Sequence, residues 1–411
     1  MTVLLTRKAV LQAAIETTYN TPQSVGASDG LLVMNPTFTI KPNVLERNYV
    51  REDLSPLAFV IGRKLASMEF ETELRGNGAE QAGTTGAAPV IARLFNACGY
   101  GLTANAASNV KGPYDVGQPV NEVAWANGGT LTNTDVIGYT LTVDTPGASG
   151  TAHITVTSDT AGEGSASAVV TSGTAIDLGT NGLTLTPTFS GSLAAGQSWS
   201  VWLMPPGISL DPISDTFKSL TLVLHKDGVK HVMPGAYGTF EITAQAGNYA
   251  TVKWTFTGQY EAPTDDANPT PNFERTLPAQ VQLARLQIGG FAATVEKFTF
   301  NQMNDIQVRP DVNNSDGYNG TRIVSRKPEG GINPEADNVS NNDFWGQLSS
   351  ALSMPFQMRV GNTAGNTVWF IAPNTQYSGL TYQDRNGILT YDAGLRFART
   401  YGNDENCIYF A

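Results

Sequence analysis

Alternating apolar and polar positions between Ala66 and Leu74 predict one half-buried strand early in the chain. Its apolar face consists of Ala66, Met68, Phe70, Thr72 and Leu74. Its polar face carries Ser67, Glu69, Glu71 and Glu73, because successive side chains of a strand point to opposite sides. Like charges aligned on one strand face cost stability. The row of carboxylates therefore predicts either a cationic partner or a functional acidic wall.

A second pattern of short alternating segments separates residues 114–204 from the rest of the chain. These segments cover residues 139–143, 153–157, 183–186 and 199–203. Gly, Ser and Pro residues bound them at short intervals, which is typical of a small all-β sandwich. We predict an inserted, Ig-like β-domain over residues 113–204. The alternative is a disordered linker rich in Gly and Thr, which the alternating apolar residues disfavour.

Outside that segment, the pattern predicts one order of elements twice: strand, strand, helix, hairpin and hairpin. The short helices are predicted at residues 89–98 and 343–352, and the first two strands of the second copy at 295–300 and 321–327. Hairpin turns are predicted at Asp227-Gly228, Ala246-Gly247 and Asn386-Gly387, since Asp-Gly and Asn-Gly pairs favour tight turns.

These elements predict a mainly β protein with two tandem β-sandwich or barrel domains, each flanked by a short helix. The first domain covers residues 1–112 and 205–265, and it is interrupted by the inserted domain at 113–204. A linker covers residues 266–280, and the second domain covers 281–411.

The length of 411 residues fits two or three domains, and a hydrophobic content of 41% is that of a globular protein. No segment approaches the ~18 consecutive apolar residues of a membrane-spanning helix. The N-terminal segment lacks the cleavage site of a signal peptide, and Cys98 and Cys407 are too few for a disulfide framework. These features predict synthesis in the cytoplasm.

The formal net charge of −11 is concentrated in the inserted segment. Between Lys111 and Lys218 there are nine acidic residues and no Lys or Arg. The rest of the chain is almost neutral, and no basic patch predicts tight binding of nucleic acid.

The sequence carries no complete catalytic or cofactor-binding motif. Walker-type phosphate loops, dinucleotide-binding fingerprints, zinc-protease motifs and serine-hydrolase elbows are all missing. His225 and His231 have no nearby Cys or third ligand, which favours a structural role. A segment beginning at Asp311 imitates a calcium loop, but Asp316 and Arg322 replace its glycine and its closing glutamate. We therefore predict no enzymatic activity, no cofactor and no metal.

Several short strings outside the inserted segment occur in the order found in one known family. They are ETTYNTP (16–22), VLERNYVR (44–51), PVIARLFNACG (89–99), KDGVKHV (226–232), GAYG (235–238), WTFTGQYEAPT (254–264) and DRNGI (384–388). This ordered set, together with the strand that carries Glu69, Glu71 and Glu73 (the acidic strand), resembles the major tail tube proteins of long-tailed (siphovirus-type) bacteriophages.

The resemblance implies a structural virion protein whose subunits join sheet to sheet into a ring with a closed β-barrel as its inner wall. Rings of this family stack into the tube that carries the genome. Because this chain carries two such domains, we expect three copies in a pseudo-sixfold ring, in preference to a hexamer. The implied partners are further copies of the chain, other tail proteins and, transiently, DNA in the lumen, with no membrane. The expected location is the phage tail, assembled in the bacterial cytoplasm, with the inserted domain on the outside of the tube.

A conduit for DNA needs a wall with few cations, because Lys and Arg bind phosphate tightly. We therefore predict that one polar sheet face lines the lumen. Its predicted residues are Glu69, Glu71, Glu73, Thr239, Glu241, Thr243, Thr251, Lys253, Thr255, Thr257, Asp392 and Arg396. The alternative places the glutamates on an outer face, paired with a neighbouring subunit.

Two segments look like extensions with little core of their own, residues 2–21 and 44–61. We predict that they contact other subunits or stacked rings, since long polar loops are usually functional or disordered. The predicted contact residues are Arg47, Tyr49, Arg51, Glu52, Asp53 and Arg63.

Two other classes of function remain open. A surface adhesin or carbohydrate-binding protein would suit a Thr- and Gly-rich sandwich, with Trp125, Trp199 and Trp202 available for ligand stacking. A glycosidase would need two carboxylates facing each other at working distance, and no such pair is evident in the sequence.

Overall fold

The computed structural model describes residues 4–78, 88–117, 123–314 and 316–411. Within them the protein is mainly β, as predicted. The first stretch contains β1 (Ala9–Ile15), β2 (Gly30–Leu31), β3 (Met34–Leu45), β4 (Val60–Glu73), α1 (Ala92–Ala97) and β5 (Tyr100–Asn105). The inserted stretch contains β6 (Asn109–Asp115), β7 (Ala124–Gly128), β8 (Ile137–Thr145), β9 (His153–Ser158), β10 (Ser165–Val169), β11 (Ile176–Asp177), β12 (Thr184–Thr188) and β13 (Ser198–Met204).

The chain then returns to the main body. The next strands are β14 (Gly207–Pro212), β15 (Leu220–Lys226), β16 (Val229–Gln245), β17 (Thr251–Gln259) and β18 (Thr264–Asp265). The last stretch contains β19 (Gln287–Ile288), β20 (Val295–Asn301), β21 (Asp305–Pro310), β22 (Tyr318–Ser325), β23 (Glu329–Pro334), α2 (Phe344–Ser349), β24 (Met354–Val360), β25 (Val368–Arg385), β26 (Ile388–Ala398) and β27 (Cys407–Phe410). Both α-helices in this description have six residues, far fewer than a bilayer-spanning helix needs.

The two halves of the main body repeat one antiparallel pairing pattern. In the first half the order of neighbours is β1–β15–β16–β17–β4–β3. In the second half it is β19–β24–β25–β26–β23–β20. In each half the helix follows the strand β4 or β23 along the chain. The order of paired strands is therefore the same in both halves.

The strand predicted at residues 321–327 is present as β22, but its place in the repeat differs from the prediction. It pairs with β21 in an additional hairpin and is not the counterpart of β4. The true counterpart is β23, whose sequence EGGINP lacks an alternating pattern. Its position follows from its two partners, because β23 pairs with both β20 and β26.

The two halves are joined by strand pairing and share one core. Residues 241–245 of β16 pair with residues 297–301 of β20. Elsewhere in the main body, β14 pairs with β27. A single hydrophobic cluster contains buried residues from both halves, including Phe95, Trp254, Phe300 and Phe370. The boundaries of two separate tube domains stay a prediction.

Helix α1 anchors this core from the first half. Phe95 lies against Phe240 and Trp254, with ring centroids 4.8 Å apart in each case. Leu94, Phe95 and Cys98 are fully buried. Gly99 ends the helix with a φ of +86°, a conformation that favours glycine.

The inserted residues have a core of their own. A five-stranded sheet (β10–β9–β8–β13–β6) and a three-stranded sheet (β11–β12–β7) contribute to one hydrophobic cluster. Trp199 is buried, and its ring lies 5.2 Å from that of Trp125. Trp202 is also buried. These two indoles are therefore core residues, which weakens the case for ligand stacking, and the Ig-like classification stays a prediction.

The inserted domain docks on the second half of the chain. A small apolar cluster joins Trp202 and Met204 to Trp369, Ile371 and Tyr409. Trp202 Nε1 donates a hydrogen bond to Gln357 Oε1 at 2.9 Å. This contact fixes the inserted domain against β25 and β27.

Arg285 supplies the polar part of this docking contact. Its guanidinium bonds to Asp135 at 3.1 Å and to Asp159 at 2.8 Å, and it lies over the ring of Trp369. The Asp159 side chain is almost fully buried. Asp159 thus depends on Arg285 for the compensation of its charge.

We expect Arg285→Ala to lower the free energy of unfolding by about 3 kcal/mol, because Asp159 would stay buried without its cationic partner. Chemical denaturation monitored by tryptophan fluorescence measures this change. Arg275→Ala, at a position outside this contact, is the control. A loss below about 1 kcal/mol for Arg285→Ala would contradict the role given to the ion pair.

The N-terminal segment differs from its predicted role as an extension without a core. Residues 9–15 form β1, which pairs with β15 over its whole length, and Leu11 and Ala13 are fully buried. Glu16 is buried too and accepts hydrogen bonds from Ser219 Oγ (2.6 Å) and Gly235 N (2.8 Å). These residues belong to the first half of the main body. Within the described part of the N-terminal segment, residues 4–8, 17, 18 and 21 are exposed.

Candidate functional site

The candidate site is one polar face of a continuous eight-stranded sheet. The strand order is β3–β4–β17–β16–β20–β23–β26–β25. On β4, the face that carries Met68 and Phe70 is buried, while Glu69 is exposed and Glu71 and Glu73 are half-buried. The alternation predicted for this strand is confirmed from Met68 to Glu73, whereas Ser67 of the predicted polar face is buried. The opposite side of the same sheet covers the main core.

Cross-strand pairs extend this polar face into the neighbouring strands. Glu71 lies opposite Lys253 of β17, and Lys253 lies opposite Glu241 of β16. Glu241 in turn lies opposite Asn301 of β20, across the junction between the two halves. The cation of Lys253 therefore stands between two carboxylates in the register of the sheet, which reduces their mutual repulsion.

The same row continues through the second half. Asn301 lies opposite Glu329 of β23, and Glu329 lies opposite Arg396 of β26, with an ion pair of 3.3 Å. Lys327 bonds to the same carboxylate at 2.6 Å. The hydrogen bonds from Lys327 and then Arg396 hold the pKa of Glu329 below its usual value. This half of the face is therefore closer to charge balance than the first.

All of the residues predicted to line a lumen lie on this one face. They are Glu69, Glu71 and Glu73 on β4, Thr239, Glu241 and Thr243 on β16, Thr251, Lys253, Thr255 and Thr257 on β17, and Asp392 and Arg396 on β26. Sequence reasoning missed Lys297, Thr299, Asn301 and Glu329, which complete the face. Their strands carry the same alternation more weakly, and only the pairing of β16 with β20 brings them beside the predicted set. That the face lines a lumen stays a prediction.

Aromatic side chains support the face from below. Trp254 and Phe256 lie in the core beneath β17, and Phe300 and Phe397 lie beneath β20 and β26. Trp254 Nε1 donates to Thr72 Oγ1 at 2.9 Å, which satisfies a buried donor. The polar face thus rests on a closely packed layer, so its side chains are held in fixed register.

The sheet has two free edges. Within the described residues, β3 pairs with β4 alone, and residues 376–385 of β25 pair with β26 alone. β3 contains Pro36 and Pro42, and proline within a sheet is confined to edges because it lacks an N–H donor. Unpaired strand edges favour association with another chain.

The predicted contact residues lie in and beside the long loop between β3 and β4. Arg47, Tyr49, Arg51, Glu52, Asp53 and Arg63 are all exposed. The described contacts among them are local: Arg51 pairs with Asp53 at 3.2 Å, and the Arg47 guanidinium lies over the Tyr49 ring. Val50 and Leu54 in the same loop are fully exposed. The loop projects apolar surface, and its role in subunit contacts stays a prediction.

The two histidines and the cysteine considered in the sequence analysis lie in surroundings that favour structural roles. His225 and His231 lie on opposite strands of the β15–β16 hairpin, and the ring of His231 stacks on Phe38 at 4.5 Å. Burial, with a contribution from Lys226, lowers the pKa of His231. Burial also raises the pKa of the Cys98 thiol. No group of three potential metal ligands lies together in the part of the chain that the structure describes.

The sequence profile of a family described as "Phage tail tube protein" matches residues 6–386. The match spans both halves and the inserted segment. The chain belongs to the phage tail tube protein family. This tail tube protein is therefore a structural component of a phage tail, as the resemblance predicts. Among curated proteins, none matches the sequence significantly.

Proposed function

We propose that this tail tube protein forms rings by edge-to-edge pairing of its eight-stranded sheet, and that the polar face lines the channel of the stacked rings. The observation that carries the proposal is the sheet itself. It is apolar on the core side and polar on the other side, and neither edge pairs with another strand of the described chain. Closing such a sheet with further copies removes both edges at once.

The junction inside the chain provides a template for the junction between chains. β16 and β25 hold equivalent positions in the two halves, and so do β20 and β3. β16 pairs with β20 over five residues, 297–301. The equivalent contact for β25 is therefore with β3 of a second copy. The stretch of β3 between Pro36 and Pro42 also has five residues, which is room for the same ladder.

The exposure of β3 supports this pairing. Its sequence Phe38-Thr-Ile40 corresponds to Phe298-Thr-Phe300 of β20. Phe300 is fully buried beside β16, whereas 42% of Ile40 is exposed. An apolar side chain left open at the position that its counterpart buries indicates a missing neighbouring strand.

Strand counting favours three copies in the ring. With strands about 4.8 Å apart and tilted by about 40°, three sheets of eight strands close into a barrel about 50 Å across. Side chains reduce this to a channel of roughly 40 Å, which is wider than a DNA duplex. Two copies would leave roughly 20 Å, with no clearance for a duplex. Because each copy contains the pattern twice, the ring of three has pseudo-sixfold symmetry.

The inserted domain lies on the opposite side of the core from the polar face. Along β25, Phe370 points into the main core and contacts Phe300 and Phe397, while Trp369 and Ile371 point to the inserted domain. If the polar face lines the channel, the inserted domain decorates the outside of the tube. In this orientation the loop of residues 46–59 extends from the β3–β4 hairpin and provides contacts to the next ring.

Negative-stain microscopy of the purified protein tests the proposal. We expect rings or hollow tubes with a central channel, and native mass spectrometry of isolated rings should give three copies. Discrete particles without a central hole at all protein concentrations would overturn the proposal. Rings of six copies would retain the tube function and reject the trimeric arrangement.

A further inference from the structure

An aromatic patch is exposed at the tip of the β25–β26 hairpin. Tyr382 is 56% exposed and Leu389 54% exposed, and Trp345 of α2 lies beside them. The Tyr382 ring lies 5.5 Å from that of Trp345 and 5.1 Å from that of Tyr391. Trp345 Nε1 also donates to the Tyr391 hydroxyl at 3.3 Å. The patch is thus a preformed apolar surface next to the free edge of β25.

The equivalent position in the first half is covered. The turn between β16 and β17 bonds to Val281 in both directions: Gly247 N donates to Val281 O at 3.2 Å, and Val281 N donates to Asn248 O at 2.8 Å. Val281 is buried and belongs to the main core. This residue lies six positions before β19, the first strand of the second half. The β16–β17 tip of the first half is therefore covered by the segment that leads into the second half, residues 277–281. We call such a segment, just ahead of the first strand of a half, its leading segment.

The first half has a leading segment of the same kind. Residues 4–8 lie directly before β1, residues 277–281 lie six to ten positions before β19, and β1 and β19 pair with equivalent strands. Leu5 N donates to Asp227 Oδ2 at 2.6 Å, in the turn that follows β15. Leu277 O accepts from Asn366 Nδ2 at 2.9 Å, in the loop that follows β24. Both segments thus contact equivalent loops of their own half, the turn after β15 in the first half and the loop after β24 in the second.

Within one copy, the described polar contacts of residues 4–8 with the rest of the chain are with Asp227 and Asn268, and none is with the tip of the β16–β17 or the β25–β26 hairpin. Leu4 and Leu5 are 50% and 51% exposed. We infer that Leu4 and Leu5 of a second copy bind the aromatic patch of Trp345, Tyr382 and Leu389. This contact rests on the proposed pairing of β25 with β3, because that pairing brings the two surfaces together. It buries apolar side chains on both copies, which stabilises each junction of the ring.

Photo-crosslinking at position 5 tests the contact directly. With benzoylphenylalanine in place of Leu5, irradiation of assembled protein should link two copies, and mass spectrometry should locate the adduct within residues 382–391 or at Trp345. Benzoylphenylalanine in place of Val169, an exposed position of the inserted domain, is the control and should give no adduct there. Assembled tubes whose adducts at position 5 lie elsewhere would overturn the inference.

A pair of leucine variants separates this contact from the function of the tube. We expect Leu4→Ser with Leu5→Ser to raise the protein concentration needed for assembly by about tenfold or more, because burial of the two side chains is lost. Leu4→Met with Leu5→Met should restore assembly close to the normal concentration. Tubes that form at the normal concentration with both serines would refute the inference and leave ring formation intact. A wild-type protein that never forms rings would instead refute the proposed function.

Discussion

Asp384→Pro should abolish tube formation while the monomer stays folded. Arg385 and Ile388 flank the two-residue turn of the β25–β26 hairpin and form its first hydrogen-bonded pair. In an antiparallel ladder the next residue, Asp384, points its N–H away from β26 and toward the free edge. Proline at that position removes a donor that the chain itself does not use. It also places a ring where the β3 strand of a second copy would approach.

The expected size of this effect is large at the junction and small in the monomer. The missing hydrogen bond and the steric clash together cost about 3 kcal/mol, which weakens each junction by roughly 100-fold. Since every junction of a ring carries the substitution, closed rings should disappear. The melting temperature of the monomer should fall by about 3 °C or less, because proline is tolerated on an edge strand.

Size-exclusion chromatography with light scattering and negative-stain microscopy measure this outcome. Asp384→Ala is the matched control, since it removes the same carboxylate but keeps the N–H donor. That variant should assemble like the wild type. Normal tubes from Asp384→Pro would mean that β25 is not a subunit junction, whatever the fold of the monomer.

Two parts of the site are predicted correctly from short stretches of sequence, one strand face and one hairpin turn. The alternation from Ala66 to Leu74 places three glutamates on one face, and the structure confirms it. The turn at Asn386-Gly387 is also present, with positive φ angles of 55° and 85° at its two residues. Both features are determined within about ten residues of the chain, where period and turn chemistry decide the outcome.

Long-range pairing is what the sequence could not provide. The junction of β16 with β20 joins residues some 60 positions apart and carries the polar face from one half into the other. Nothing in either strand taken alone specifies that partner. Strand β23 could not be predicted for a related reason. The glycines of EGGINP have little intrinsic preference for a strand, and pairing with β20 and β26 on either side holds them in one.

Buried polar residues in and beside β1 explain why the pattern of apolar and polar positions does not predict the burial of the N-terminal segment. Residues 2–21 are predicted to be an extension with little core of its own, but Gln12 and Glu16 within it are buried and hydrogen-bonded. Gln12 Nε2 donates to Gly26 O at 2.6 Å, and Glu16 accepts from residues more than 200 positions away. Only the tertiary structure reveals that these polar groups have partners.

Reversing the charge of the acidic strand should block genome passage without preventing assembly. The variant replaces Glu69, Glu71 and Glu73 with Lys, which adds nine cations to the wall of each three-copy ring. Lysine ammonium groups release counterions when they bind phosphate, so DNA that enters the channel would be held by many contacts at once. These side chains lie away from the free edges of the sheet, and we therefore expect tubes of normal diameter.

We expect the infectious titre of phage that carry this variant to fall by at least about 100-fold, since several phosphate contacts form in every ring. Replacement of the same residues with Gln should have a smaller effect, because it removes the repulsion without adding an attraction. The control carries Lys at Asp144, Asp177 and Asp215, three exposed acids outside the polar face, and has the same net charge as the Lys variant.

Salt dependence distinguishes a charged channel from a damaged tube. Tubes of the Lys variant should retain DNA at low ionic strength and release it as the salt concentration rises, because phosphate contacts weaken with the logarithm of the salt concentration. Wild-type tubes should retain none under the same conditions. If the Lys variant assembles and its titre matches that of the wild type, the polar face does not line the channel. The glutamates would then belong to an outer surface, where a neighbouring subunit supplies the cations.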